Sequence, residues 1–252
     1  MIVNSQEELE GLKKAANAVA VTLVKMKEFA KVGISTKELD DYGAEILASF
    51  GAISAPIKDY EFPGHNCISL NNEACHGVPS ADKILKEGDL LNIDVSAELN
   101  GFYGDNGASF IIGEDLNNHM PLVTASNEIL NIAISSIKKD VKICNIGWLI
   151  QSEARKRGFQ VIHNLFGHGI GRKLHESPQR VPCFMDKTIK ERFQKNSVIA
   201  IETFISTKAR YLYEMEDGWT LRANDNSFIA QHEHTIVVTD KEPIILTAAN
   251  GN

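Results

Sequence analysis

Five side chains able to ligate a metal, Asp94, Asp105, His168, Glu202 and Glu233, punctuate this chain, and four of them sit in or beside apolar, strand-like segments. Asp94 lies in Leu90-Leu91-Asn92-Ile93-Asp94-Val95, and Glu202 ends Val198-Ile199-Ala200-Ile201-Glu202. Glu233 precedes His234-Thr235-Ile236-Val237-Val238. A carboxylate is rarely fully buried without a partner, because removing its charge from water is costly. Several such groups, with one histidine set between glycines, ask for a shared cation.

The first acidic pair can be placed by geometry. Asn100-Gly101 is a strong signal for a two-residue type I′ hairpin turn. If Leu99 pairs with Phe102, then Ser96 opposes Asp105 and Asp94 opposes Gly107. Asp94 and Asp105 then share a sheet face as diagonal neighbours, roughly 7–8 Å apart at the backbone. Leu91, Ile93 and Val95 point the other way, into a core. The alternative for this hairpin alone is a solvated polar face.

Glu202 points away from the face of Ile199, Ile201 and Thr203. Glu233 lies in a strand expected over 227–239, flanked by His232 and His234, which face the opposite side. The polar segment 207–226 between them leaves their pairing open. His168 stands in Gly167-His168-Gly169-Ile170-Gly171, where glycines let another group approach the backbone closely. The spacing is not that of a phosphate-binding loop. His175 follows seven residues on, and His76 stands in Cys75-His76-Gly77-Val78-Pro79. His65, His119 and His163 read as ordinary hydrogen-bonded residues.

Helices must frame these strands. Ser5 and Glu8 predict a capping box before the helical stripe Leu9, Leu12, Ala16, Val19, Leu23, Met26 and Phe29, with Gly33 as its stop. Ser35 and Glu38 predict a second capping box, for a helix closed by Gly51. A similar pair follows over 121–139 and 143–158. Ile143 is 109 residues beyond Ile34, and Glu202 is 108 beyond Asp94. The matching offsets point to a duplication with halves of roughly 1–115 and 116–252 in one domain, 1–252. Ligands from both halves would then meet at the interface between them.

Composition bounds the rest. The chain has 252 residues, 43% of them hydrophobic, enough for a sizeable core. A net charge of −7 without a Lys/Arg block offers no nucleic-acid patch. No segment reaches membrane-spanning length, and no secretory pattern opens the chain. Cys67, Cys75, Cys144 and Cys183 form no CxxC pair and read as free thiols of a reducing cytoplasm.

Together, the segment from Gly167 to Arg172 with His175-Glu176, the Asn92-Ile93-Asp94-Val95 and Gly104-Asp105 pair, and Glu233-His234-Thr235 resemble the type I methionine aminopeptidases. The resemblance runs from the first helix to Thr239. Glu202 comes 27 residues after His175, which leaves no room for the helical insertion of type II. The resemblance implies an α+β pita-bread fold, its antiparallel sheet flanked by helices in pseudo-twofold halves. It implies a monomeric cytoplasmic enzyme removing the N-terminal methionine of nascent chains, at the ribosome, where the second residue is small.

Roles follow from the resemblance residue by residue. Asp105 and Glu233 match carboxylates bridging two divalent ions. Asp94 matches a ligand of one ion, and His168 and Glu202 match ligands of the other. His76 matches the group touching the scissile amide, and His175 the one steadying its carbonyl. Phe62, Cys67 and Trp219 fall where the family lines its methionine pocket. The implied reaction is attack of a metal-activated hydroxide on the first peptide bond, with Glu202 moving the proton. Oxygen-rich ligation with one histidine suits Mn(II), Fe(II), Co(II) or Zn(II).

Asn106, Thr203 and Leu174 depart from the family's usual Thr, Pro and aromatic, and Pro56 and Asp59 from Cys and Tyr. These departures bear on rate, metal preference and pocket shape, as in a secondary paralogue of weak activity. Two other readings compete. A prolidase-like, proline-directed peptidase would usually carry an additional N-terminal domain, for which 1–55 is too short. A non-catalytic relative would usually have lost ligands.

Overall fold

The computed structural model describes residues 1–248, so positions 249–252 of the expected unit lie outside the described residues. Helix α1 spans Gln6–Phe29 and α2 spans Thr36–Ser49. The capping box of α2 is complete: Ser35 Oγ accepts from the Glu38 N–H, and the Glu38 carboxylate accepts from the Ser35 N–H. That of α1 is only half formed. Ser5 Oγ accepts from the Glu8 N–H at 3.2 Å, but the Glu8 carboxylate takes the Asn4 N–H instead. Helix α1 also ends at Phe29, short of Gly33, which turns the chain at φ +95° and bonds to the Leu85 carbonyl.

After β1 (Ile53–Ser54), the short helix α3 (Ala55–Tyr60) and strands β2 (Cys67–Leu70) and β3 (Glu73–Cys75) comes the hairpin of β4 (Leu90–Leu99) and β5 (Phe102–Ile111). Its register is the expected one: Leu99 opposes Phe102, Ser96 opposes Asp105 and Asp94 opposes Gly107. Asn100 and Gly101 both take positive φ, as a type I′ turn requires.

Helix α4 spans Met120–Ser136 and α5 spans Ile143–Lys156. Then follow β6 (Gln160–Val161), β7 (Phe166–Gly169), β8 (Glu176–Pro182) and β9 (Val198–Ser206). The polar segment holds two short strands, β10 (Tyr213–Glu214) and β11 (Leu221–Arg222), before β12 (Ile229–Val237) and β13 (Ile244–Ile245). The main sheet runs β1-β4-β5-β12-β9-β7-β8, with β2 also on β4, β6 also on β9 and β13 on β12. All its pairings are antiparallel.

The same plan recurs about 108 residues later. β1 pairs with the end of β4 as β6 pairs with the end of β9. An isolated bridge joins Ser35 to Ile84 ahead of α2, and another joins Lys142 to Arg192 ahead of α5. Helices α1 and α4 cover one face of the sheet. Val19, Leu23 and Met26 of α1 pack with Leu91, Ile93 and Val95. Leu122, Ile129 and Leu130 of α4 pack in one cluster with Ile199 and Ile201. Each fully buried aliphatic side chain contributes about 1.5–3 kcal/mol, so these two layers hold the strands rigid beneath the carboxylates. Among the described residues no helix is long and apolar enough to cross a membrane.

Candidate metal centre

Five neighbouring strands, in the order β4-β5-β12-β9-β7, each supply one of the five expected ligands. Asp94 comes from β4 and Asp105 from β5, diagonal across the hairpin. Glu202 of β9 lies directly opposite Glu233 of β12, which answers the pairing left open by sequence. β7 brings His168 opposite Ala200 of β9. The alternation that sends Ile93 and Ile201 into the core sends Asp94 and Glu202 to the other face.

Glycines make room for the histidine. A Cβ on Gly167 would sit 2.6 Å from the Ala200 carbonyl oxygen, and one on Gly169 would sit 2.2 Å from that of Ser177. Side chains there would push β7 away from its neighbours.

The five groups line one cavity of about 260 Å³, with His76 and His175 also in its wall. Ligand atoms of Asp105, His168 and Glu233 all lie within 4.8 Å of one another. His168 Nε2 is 3.7 Å from Asp105 Oδ2. His168 Nδ1 is 3.1 Å from the Gly169 carbonyl oxygen, so it carries the proton and leaves the Nε2 lone pair for a ligand.

The electrostatics also fit a cation. Asp94 Oδ1, Asp105 Oδ1 and Glu233 Oε1 are buried without a hydrogen-bond partner. Burial raises Asp94 to about 6. Asp105 is raised well above its ordinary value by burial, then by Glu233 and Asp94. Glu202 is raised likewise by burial, then by Asp94 and Asp105, and Glu233 by burial, then by Glu202 and Asp94. Burial first, then His175, lowers His168 to about 3, so it is neutral at working pH. Buried carboxylates that raise one another's pKa are stabilised by a divalent cation set among them.

Side chains outside the expected set hold this arrangement. Gln231 Nε2 donates to Glu233 Oε2 at 2.9 Å, and Gln231 Oε1 accepts from Asn92 Nδ2 at 2.8 Å. Asn106 Nδ2 donates to the Glu233 carbonyl, and Thr235 Oγ1 accepts from the Asp105 N–H and donates to the Asp105 carbonyl. The Asn106 and Thr235 bonds staple β5 to β12 where the halves meet, since the paired register there is only His232 opposite Ala108. Thr203 Oγ1 donates to the Ser126 carbonyl of α4, away from the carboxylates.

Beside the acidic cavity lies an apolar one of about 190 Å³, lined by Pro56, Tyr60, Phe62, His76, Leu174, His175 and Trp219. Phe62 and Trp219 meet edge to face at 5.2 Å. Cys67 does not line this cavity; it lies buried, directly opposite Asp94 on the paired strands β2 and β4. Asp59 turns aside and accepts a hydrogen bond from the Tyr103 hydroxyl. Sequence reasoning missed Tyr60, whose hydroxyl lies 2.5 Å from His175 Nδ1. It missed Asn92 and Gln231 as well, although each stands two residues before a ligand on the same face, a signal the period of two offers.

Residues 10–240 match the model of metallopeptidase family M24. The chain is 48% identical over 247 residues to methionine aminopeptidase 2 of Bacillus subtilis, covering 98% of this chain and 99% of that one. The crystal structure of methionine aminopeptidase from Thermotoga maritima superposes with a TM-score of 0.92 at 34% identity, over 98% of this chain and 99% of the other. The prolidase of Pyrococcus horikoshii shares the fold at 20% identity and a TM-score of 0.76, and this chain, 98% covered, spans 63% of it. The pita-bread architecture is thus common to all three, but the near-full-length likeness is to the first two, and the chain belongs to the methionine aminopeptidases of metallopeptidase family M24.

Proposed function

We propose that this chain is a cytoplasmic methionyl aminopeptidase acting on nascent proteins and peptides whose second residue is small, with residues 1–252 as one catalytic unit of two halves. The observation that carries this reading is the acidic cavity lying beside an apolar pocket, with His76 and His175 on the wall of both. An exopeptidase needs both: a place for the first side chain, and a reaction centre one bond away.

A divalent metal supplies Lewis-acid chemistry here, acidifying water and polarising a carbonyl oxygen. These residues would hold two ions, Asp105 and Glu233 serving both, Asp94 one, and His168 with Glu202 the other. Mn, Fe, Co and Zn all accept such ligands. The rest falls to the chain. Phe62, Leu174 and Trp219 exclude water around the methionine thioether. His175 donates to the carbonyl oxygen of the scissile bond, and His76 contacts its amide. Glu202 accepts a proton at its carboxylate and returns one to the leaving amine.

Replacing His76 or His175 by Ala should lower kcat by roughly 10²-fold or more while metal content, read by elemental analysis, stays near wild type. Metal loss in His175→Ala would make it a ligand and redraw the site.

Substrate preference tests the whole reading. Metal-supplemented enzyme should cleave Met-Gly-Met-Ser and its Ala and Ser analogues much faster than peptides with Leu, Lys or Glu second. Leu174, in place of an aromatic, leaves room for slow cleavage after a first-position Leu or norleucine. A charged first residue is disfavoured, because burying it unpaired costs several kcal/mol. Equal kcat/KM for Met-Gly and Met-Lys peptides, or preferential cleavage of Gly-Pro and Ala-Pro, would refute it. Prolidase-like activity would be the second outcome, and inactivity with every metal the non-catalytic one. Retention of all five ligand residues favours catalysis.

A further inference from the structure

Three consecutive residues of α3 each make one tie. Lys58 Nζ donates to Glu98 Oε2 of β4 at 3.0 Å. Asp59 Oδ1 accepts from the Tyr103 hydroxyl of β5 at 3.0 Å, and the Lys58 ammonium also stands 5.4 Å from the centre of the Tyr103 ring. The Tyr60 hydroxyl lies 2.5 Å from His175 Nδ1, with the two rings edge to face at 5.5 Å. The start of the helix is fixed as well: Ser54 Oγ accepts from the Ile57 N–H and donates to the His65 carbonyl. So the first two ties hold α3 on the hairpin of the first half, and the third reaches His175, between β7 and β8 of the second.

We propose that Tyr60 is a positioning residue that holds His175 in its Nε2–H tautomer, aiming that proton at the substrate's carbonyl oxygen. The inference rests on the functional reading above for the identity of the substrate, and on the hydrogen bond alone for the tautomer. A phenol is a stronger acid than a neutral imidazole N–H, and the imine nitrogen is the stronger base, so the hydroxyl donates and Nδ1 accepts. Tyr60 keeps its proton, because burial first and then Asp59 and Asp105 raise its pKa. A neutral imidazole that accepts at Nδ1 carries its one proton at Nε2.

Anchoring matters because the Tyr60 side chain is 45% exposed. An exposed tyrosine on a free loop would sample many rotamers. Here Lys58 and Asp59, the two residues before it, are held on separate strands, so the ring starts from a fixed backbone. The device also joins the halves of the fold at His175.

Tyr60→Phe separates this role from that of a pocket wall, since it keeps the ring and removes only the hydroxyl. In the metal-loaded enzyme assayed on Met-Gly-Met-Ser, kcat should fall roughly 10- to 100-fold, the size seen when the outer partner of an oriented imidazole is removed. KM and metal content should stay near wild type. Tyr60→Ala should raise KM in addition, because it opens the apolar pocket. Long-range ¹H–¹⁵N spectra of the zinc-loaded, labelled enzyme give a readout independent of turnover. Wild-type His175 should show a protonated Nε2 and a hydrogen-bonded, unprotonated Nδ1, and the Nδ1 resonance should move on Tyr60→Phe. A proton on Nδ1 in the wild type, or wild-type kcat in Tyr60→Phe, would overturn the assignment. A wild type inert toward methionyl peptides would refute the function, while the spectrum would still decide the tautomer.

Discussion

Asp105→Ala should lose both ions of the proposed pair and fall below about one thousandth of wild-type kcat/KM, yet remain folded. Its carboxylate stands at the crossing of the set, with one oxygen 3.7 Å from His168 Nε2 and its ligand atom within 4.8 Å of those of His168 and Glu233. A group shared by two ions takes both with it when removed. Folding should survive, because the backbone of Asp105 is still bonded at both N–H and carbonyl to Thr235 Oγ1. Removing one of several mutually repelling buried carboxylates also relieves the others in the metal-free state. The metal-free variant should therefore melt no lower than metal-free wild type. Asp94→Ala should be milder for the ion held by His168 and Glu202. Elemental analysis showing unchanged metal in Asp105→Ala would sink the two-ion assignment. A lost thermal transition would instead show that the side chain is needed for the fold.

Much of this site could be read from residue spacing, for a physical reason. A two-residue turn fixes hairpin register, so Asn100-Gly101 alone placed Asp94 and Asp105 on one face, and the paired residues are those expected. The Glu202–Glu233 pair could not be placed in the same way. Their strands are joined through 207–226, a segment long enough that no turn chemistry sets the register, and only the folded sheet sets the two glutamates face to face. Helix existence was legible from apolar period and caps, but helix ends were less so. Glu8 could bond either of two adjacent N–H groups, and it chose Asn4 over Ser5. The apolar pocket was the least legible part. Its wall is built from α3 and the loop after it, the residue after β3, the loop before β8 and the segment after β10, so the fate of any one side chain depends on four separate parts of the chain. Cys67 was expected in that wall and lies opposite Asp94 instead, whereas Tyr60 was not singled out and reaches His175. The family resemblance supplied roles for single residues, and the sheet order explains how strands far apart in sequence can serve them together.

Metal-free enzyme should lose thermal stability as pH rises above about 6.5, and metal should remove most of that loss. Asp105, Glu202 and Glu233 have folded pKa values held well above their ordinary range, by burial first and then by one another or Asp94. In the unfolded chain they ionise near their ordinary values of 3.8 and 4.5. Between those values and the folded ones, the folded state binds more protons, so raising the pH favours unfolding. Asp94 adds to this only up to its folded value of about 6. Buried histidines act in the opposite sense. His168 and His232 are lowered to about 3 and His234 to about 4, chiefly by burial, from the ordinary 6.5. They destabilise the fold as pH falls below about 6.5 and are silent above it. The alkaline limb therefore belongs to the carboxylates, at about 1.4 kcal/mol per pH unit for each one still protonated in the fold. For a chain of this size that is about 2–4 °C of Tm per kcal/mol. A divalent cation replaces the missing protons, and it binds better as its ligands ionise, so the gap between loaded and chelator-treated enzyme should widen from pH 6.5 to 8.5. Thermal melts of both forms at those two pH values decide it. A metal-free Tm that climbs across the interval, or a gap that stays constant, would mean that these carboxylates do not share one buried site.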